Sequence, residues 1–156
     1  MIDFTVLTVE KYYKGNMKQA SKFTIYGDGG SRGNPGEAAY GFVIYGEDGE
    51  IIYEEGKRLG VTTNNYAEYM AVVNSLRWIL EHYPNAERVH YKLDSLLIAS
   101  QMAGKFKIKH PSMKELYITA KGLEAQLQAQ IIYSQIPREQ NKKADSLVNA
   151  ALDFKI

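Results

Sequence analysis

The chain has 156 residues, 45% of them hydrophobic, and its 19 Lys and Arg nearly cancel 18 Asp and Glu to leave a net charge of +1. That length suits one domain with one core, the composition excludes an intrinsically disordered chain, and nucleic-acid attraction by bulk charge is excluded, so only a local basic patch could supply it. The absence of cysteine removes disulfides and thiolate metal sites, while the lack of a bilayer-length apolar run and of a signal-like start at Met1-Ile2-Asp3-Phe4 leads to an expected cytoplasmic location with no membrane partner.

Residues 1–21 carry weak signals. Phe4-Thr5-Val6-Leu7-Thr8-Val9 reads as a short strand, and Lys14-Gly15-Asn16 with Lys18-Gln19 as a solvated linker. This stretch is expected to be an N-terminal extension of unknown role, with the domain proper over residues 22–156. Phe23 to Asp28 predicts a strand that ends in a glycine-rich loop, Gly29 to Gly36. Ala39 to Tyr45 predicts a second strand, Gly46-Glu47-Asp48-Gly49 a turn, and Ile51-Ile52-Tyr53 the start of a third strand, so the three should form an antiparallel meander. Thr62-Thr63-Asn64-Asn65 offers capping side chains for a helix that runs to about Tyr83 and is closed by Pro84-Asn85. Val89 to Asp94 predicts a strand, and Ser95 to Ala103 a short helix ended by Gly104. A helix from Pro111-Ser112 to Gln128 should follow, then a strand at Ile131-Ile132-Tyr133 and a last helix from Asn141 to Leu152. The order βββαβααβα implies an α/β fold, a mixed sheet with helices packed on it.

Four acids stand out against this layout. Asp28 ends the first strand ahead of the glycines, where a turn aspartate is the alternative reading. Glu68 falls in the first helical turn, in line with Val72, Leu76 and Ile79; a helix-dipole or capping role explains an acid there but not its place on the buried side. Asp94 ends a strand before a helix, at the sheet edge where ligands gather, with an N-cap by Asp94 or Ser95 as the alternative. Asp145 shares a helical face with Val148 and Leu152, and a first-turn acid is again the alternative. Strand ends and helix N-termini can converge on one sheet edge. Four converging carboxylates repel and raise one another's pKa values, so a cation is needed between them. Oxygen-only ligands suit Mg²⁺ or Mn²⁺, and two such ions activate water and stabilise the leaving oxygen in phosphodiester hydrolysis.

Four segments carry a resemblance: Tyr26-Gly27-Asp28-Gly29-Gly30-Ser31-Arg32-Gly33-Asn34-Pro35-Gly36, Thr62-Thr63-Asn64-Asn65-Tyr66-Ala67-Glu68, Leu93-Asp94-Ser95, and Pro137-Arg138-Glu139-Gln140-Asn141-Lys142-Lys143-Ala144-Asp145. In this order, spanning residues 22–153, they resemble the type 1 ribonuclease H family. The resemblance implies a ribonuclease H-like fold with a five-stranded mixed sheet flanked by helices. It carries catalytic metal-ligand roles onto Asp28, Glu68, Asp94 and Asp145, with Mg²⁺ or Mn²⁺, two ions when substrate is bound. It implies an endoribonuclease that hydrolyses the RNA strand of RNA–DNA hybrids; a monomer is expected. It also places contacts to RNA 2′-hydroxyls near Asn34, Asn64 and Glu68, and Thr63 near a phosphate of the DNA strand. The 2′-hydroxyl is what separates RNA from DNA, and amide side chains offer it both donor and acceptor. For Asn64 and Asn65 helix capping is the alternative role.

The sequence departs from the family pattern in three places. Leu96 stands where members often carry a polar residue, the loop Gln135 to Gln140 lacks the histidine of the better-known bacterial enzymes, and a basic helical handle is absent. Lys105, Lys107, Lys109, His110 and Lys114 form an acid-free basic run interrupted by Phe106 and Ile108. In an extended conformation the lysines would share one side and meet phosphates while the apolar residues pin the other side to the body; a solvated loop is the alternative. His82, His90 and His110 are scattered and have no metal-ligand spacing. The rival functions are a nuclease of the same fold acting on double-stranded RNA or RNA–DNA junctions, a non-catalytic hybrid-binding module, and a generic acidic metal-binding protein.

Overall fold

Alternation of apolar and half-polar residues builds the first strand. Phe23 and Ile25 are buried on one face while Thr24 and Tyr26 are half-buried on the other. In the computed structural model, which describes residues 21–156, this strand is β1, Lys22–Arg32. The expected strand at Phe4 to Val9 and the linker reading of Lys14 to Gln19 lie outside the described residues. β2 (Gly36–Tyr45) and β3 (Ile51–Thr62) complete an antiparallel meander with β1, as the turn residues foretold. β4 (Arg88–Leu93) pairs parallel to β1, and β5 (Gln130–Gln135) parallel to β4, so the sheet order is β3-β2-β1-β4-β5. The helices are α1 (Asn64–His82), α2 (Leu96–Met102), α3 (Pro111–Leu127) and α4 (Lys142–Leu152), with a single 3₁₀ turn at Arg138–Gln140.

The glycine-rich loop is shorter than expected. Gly29, Gly30, Ser31 and Arg32 continue β1, paired with Tyr40, Ala39, Ala38 and Glu37. Ladder hydrogen bonds use only backbone groups, so glycines that read as a loop are held as strand by their partner. Only residues 33–35 turn, with Gly33 at a φ of 93°.

α1 and α3 cover one sheet face over the main core, which includes Ile25, Phe42, Val72, Leu76, Tyr91 and Leu123. α4 covers β1 to β3 on the other face, where Ala39, Val148, Ala151 and Leu152 form a second cluster. Two glycines set how closely these layers approach. A Cβ on Gly29 would enter the α1 backbone at Ala67 and Glu68, and one on Gly41 would meet Ala144 O and Leu147 Cβ at 2.8 Å. Gly29 therefore lets the start of α1 close onto β1 beside Asp28, which lies within the strand and not, as expected, at its end. Among the described residues no helix is long and apolar enough to cross a membrane.

Candidate active site

β1 and β4 are parallel neighbours with Gly27 opposite Leu93, so the residues that follow, Asp28 and Asp94, emerge at the same sheet edge. Glu68 reaches them from α1 on its buried stripe. One carboxylate oxygen from each of Asp28, Glu68 and Asp94 lies within 4.8 Å of the others. Asp28 and Glu68 are each only 7% exposed.

The alternative capping roles for two of these acids do not hold. Thr63 caps α1, its Oγ1 accepting from Tyr66 N at 3.2 Å, and the helix begins early enough to put Glu68 in the second turn, beyond the first-turn acid position. Ser95 caps α2 through Ile98 N, leaving the Asp94 carboxylate free of that duty.

The arrangement is electrostatically costly. Burial, with the charges of Asp94 and Asp145 behind it, pushes the Asp28 carboxyl up to about 7, against a partial offset from the Gly29 backbone N–H. Burial also raises Glu68 well above the usual carboxylate range, reinforced by Asp28 and Asp94 and eased by the Arg138 guanidinium. Glu68 Oε2 is buried with no hydrogen-bond donor among the described residues. Two buried carboxylates facing each other need a retained proton or a cation between them.

Asp145 departs from expectation. The buried stripe of α4 is Ala144, Val148, Ala151 and Leu152, and Asp145 is exposed beside it. At 100° per residue, an Ala144 on the stripe turns the next side chain toward solvent. Asn149 Nδ2 donates to the Asp145 carboxylate at 3.4 Å. Asp145 is outside the three-acid cluster but close enough that its charge raises Asp28.

The amides tie the site's loops together. Asn34 Oδ1 accepts from Asn64 N at 3.0 Å, and Asn64 Oδ1 accepts from Ser31 N at 2.8 Å and Ser31 Oγ at 3.0 Å. Their NH₂ groups have no protein partner among the described residues. Neither Asn64 nor Asn65 caps α1. Asn34, Thr63, Asn65 and Tyr66 face His110 and Ser112 across an open cleft of about 340 Å³.

Lys105, Lys107 and Lys109 lie exposed in the connection between α2 and α3. The expected alternation holds only at Ile108, which packs on the core; Phe106 is 51% exposed and forms no strand with its neighbours. Gly104, at a φ of 79°, turns the chain away from α2 there, so Phe106 has no core surface to meet. It lines a second cleft with Lys107, Lys114 and Tyr117.

Sequence reasoning missed Asn141. This residue is 1% exposed, and its Nδ2 donates to Gly27 O at 2.9 Å and reaches Asp94 Oδ2 at 3.5 Å. It precedes α4 but makes no side-chain cap, because its amide turns inward and joins β1, the end of β4 and α4. Helix-start position was its only local signal. Asn141→Ala is expected to lower kcat about tenfold with KM little changed, and to cost roughly 1–3 kcal/mol through the orphaned carbonyl. Steady-state kinetics and urea melts check this; unchanged kcat in a destabilised variant would reduce Asn141 to a structural tie.

A family model described as reverse transcriptase-like matches residues 27–151. The RNase H1 of the archaeon Halobacterium salinarum superposes with a TM-score of 0.79 at 34% identity, over 85% of this chain and 98% of that one. The chain belongs to the ribonuclease H family. A second ribonuclease H neighbour, LC11-RNase H1 solved in complex with an RNA/DNA hybrid, has a TM-score of 0.81 at 38% identity, covering 85% of this chain and 98% of that one. A Mycobacterium tuberculosis relative described as a bifunctional protein is 40% identical over 133 residues, which are 85% of this chain and 36% of that protein. The ribonuclease H chain thus spans about a third of that relative's length.

Proposed function

We propose that the chain is an endoribonuclease that hydrolyses the RNA strand of RNA–DNA hybrids with two divalent metal ions. The observation that carries this is the cluster of Asp28, Glu68 and Asp94, with oxygens within 4.8 Å and a buried Glu68 Oε2 that has no hydrogen-bond partner among the described residues. The residues fit a hard cation: the donors are all oxygen, and their charges disfavour one another in its absence. Asp28, Glu68 and Asp94 would hold the metal, with Asp145 at the rim as a further ligand. Bound there, Mg²⁺ or Mn²⁺ supplies charge that makes a water nucleophilic and offsets the charge developing on the leaving oxygen. The chain's own contribution is position. Asn34 and Asn64 present NH₂ donors that have no partner among the described residues, suited to RNA 2′-hydroxyls. Thr63, in the neighbouring cleft, suits a phosphate of the DNA strand. The hybrid-bound LC11 relative supports this substrate class.

Cleavage of a hybrid with Mg²⁺ or Mn²⁺ tests the reading, with double-stranded RNA and an RNA–DNA junction in parallel. RNA-strand cleavage of the hybrid that EDTA abolishes is the expected result. No cleavage of the hybrid under either metal, or a preference for the other substrates, would overturn it.

The exposed lysines are proposed to meet backbone phosphates, which carry no base information. Replacing Lys105, Lys107 and Lys109 with alanine is expected to raise KM more than it lowers kcat. It should also flatten the salt dependence by roughly one unit of slope per lost contact. Unchanged KM and slope would make this run a solvated loop.

A further inference from the structure

The sheet face that carries Asp28 and Asp94 does not end at the carboxylates. Thr24 and Tyr26 precede Asp28 at two-residue spacing on β1, and Lys92 precedes Asp94 on β4, so all share that face. α4 covers this face over β1 to β3, and the face continues past it onto β4. There an open cleft of about 490 Å³ is lined by Thr24, Tyr26, Tyr45, Lys92, Gln140 and Lys143, with Glu47 among the remaining residues. Its size falls within the range of small-ligand sites.

We propose that this cleft binds a nucleotide unit, an aromatic base carrying a phosphate, at a position distinct from the metal cluster. The Tyr26 and Tyr45 rings meet edge to face, centroids 5.6 Å apart and planes at 79°, which makes an apolar corner against which a base can stack. Lys92 is half-buried, 5.4 Å over the Tyr26 ring and 3.5 Å from its hydroxyl, and has no acidic partner among the described residues. Packing over the ring accounts for its aliphatic stem but leaves ammonium protons unsatisfied. Lys143 pairs with Glu54 at 3.3 Å, with side chains 48% and 40% exposed, and an ion pair that exposed gives way readily to a phosphate. Glu47 accepts a hydrogen bond from Ser21 Oγ at 3.3 Å. The start of α4, beside Lys143, has no side-chain cap and adds its own preference for an anion. Tyr26 is about 7 Å along the strand from Asp28, so the bound unit would lie next to the carboxylates without touching them.

The test is an amide-resolved NMR titration of the full chain in EDTA, which removes metal-mediated binding at the carboxylates. The probes are adenosine monophosphate, adenosine, inorganic phosphate and a single-stranded tetranucleotide. Adenosine monophosphate is expected to perturb Tyr26, Tyr45 and Lys92 and to bind at least about tenfold tighter than adenosine or phosphate alone. Lys92→Gln and Tyr45→Ala should each weaken it about tenfold, and so should Lys143→Gln, whose exposed position protects the fold. A tetranucleotide that binds tighter than the mononucleotide would identify the ligand as an unpaired strand flanking the substrate; equal affinity would identify a free nucleotide. Perturbations that do not saturate by about 10 mM, that map elsewhere, or that survive Lys143→Gln and Tyr45→Ala unchanged would overturn the proposal.

Discussion

Replacing Asp94 with asparagine is expected to slow RNA-strand cleavage about 10³-fold or more, and at the same time to raise the melting temperature of the metal-free protein. Both effects come from one charge. Asp94 is one of three acids whose oxygens cluster within 4.8 Å, and its charge raises both Asp28 and Glu68. Losing a ligand of the proposed metal, which would contribute several kcal/mol of transition-state stabilisation, should cost orders of magnitude in rate. Losing a like charge beside two buried carboxyls relieves the apo protein. Asparagine keeps an acceptor for the Asn141 amide, and Ser95, not Asp94, caps α2, so the fold should persist. Asp145→Asn should cost less activity, because that carboxylate is exposed and outside the three-acid cluster. Single-turnover cleavage at saturating Mg²⁺ and thermal melts in EDTA measure the two effects. Near-wild-type cleavage by Asp94→Asn would remove the metal from the proposed mechanism.

Magnesium should stabilise the protein more at pH 8 than at pH 5. Asp28 has a folded pKa of about 7, above the unfolded aspartate value near 4, and Glu68 is raised in the same direction. Between roughly pH 4 and 7 the native state therefore holds protons that the unfolded chain has released, and metal-free stability falls as pH rises through that window. Above about pH 7 the penalty from Asp28 is complete. A cation that binds only the native, ionised cluster removes this penalty, so its effect grows with pH. At a concentration about a hundred times Kd the gain is roughly 2.7 kcal/mol, or on the order of 5–10 °C. His90, lowered by burial and by Lys92, contributes the opposite slope near its own range. The comparison with Asp28→Asn isolates the cluster, since that variant should lose most of the acid-side gain. Equal Mg²⁺ shifts at both pH values would count against a buried, proton-sharing cluster.

Much of the frame was legible because its signals are local. The alternation at Phe23 to Tyr26, the turn at Gly46 to Gly49, a cap within Thr62 to Asn65, another at Asp94 or Ser95, and Pro111 at a helix start each act within a few residues, and each element appeared near its expected bounds. Periodicity also put Glu68 on the buried side of α1, though one turn too early along the helix. Errors arose where a distant partner decides. Gly29 to Arg32 read as a loop, yet β2 holds them as strand. Phe106 read as an anchor, but no core surface reaches it.

By itself, the sequence determined the order of elements, the four acids that stand out against them and the family they mark, because hydrophobic period and turn chemistry are properties of short segments. Tertiary structure alone decided which acids meet. Parallel pairing of β1 with β4 brings Asp28 and Asp94 to one edge, and the missing Cβ of Gly29 lets Glu68 close on them. The helical phase that buries Ala144 leaves Asp145 at the rim. Asn141 bridges Gly27 and Asp94 only because three separate elements converge there, and the Tyr26–Lys92 cleft exists only because β1, β2, β4 and the start of α4 meet around it. Spacing along a chain sets which way each side chain can face; its neighbours across space are set by how the layers pack.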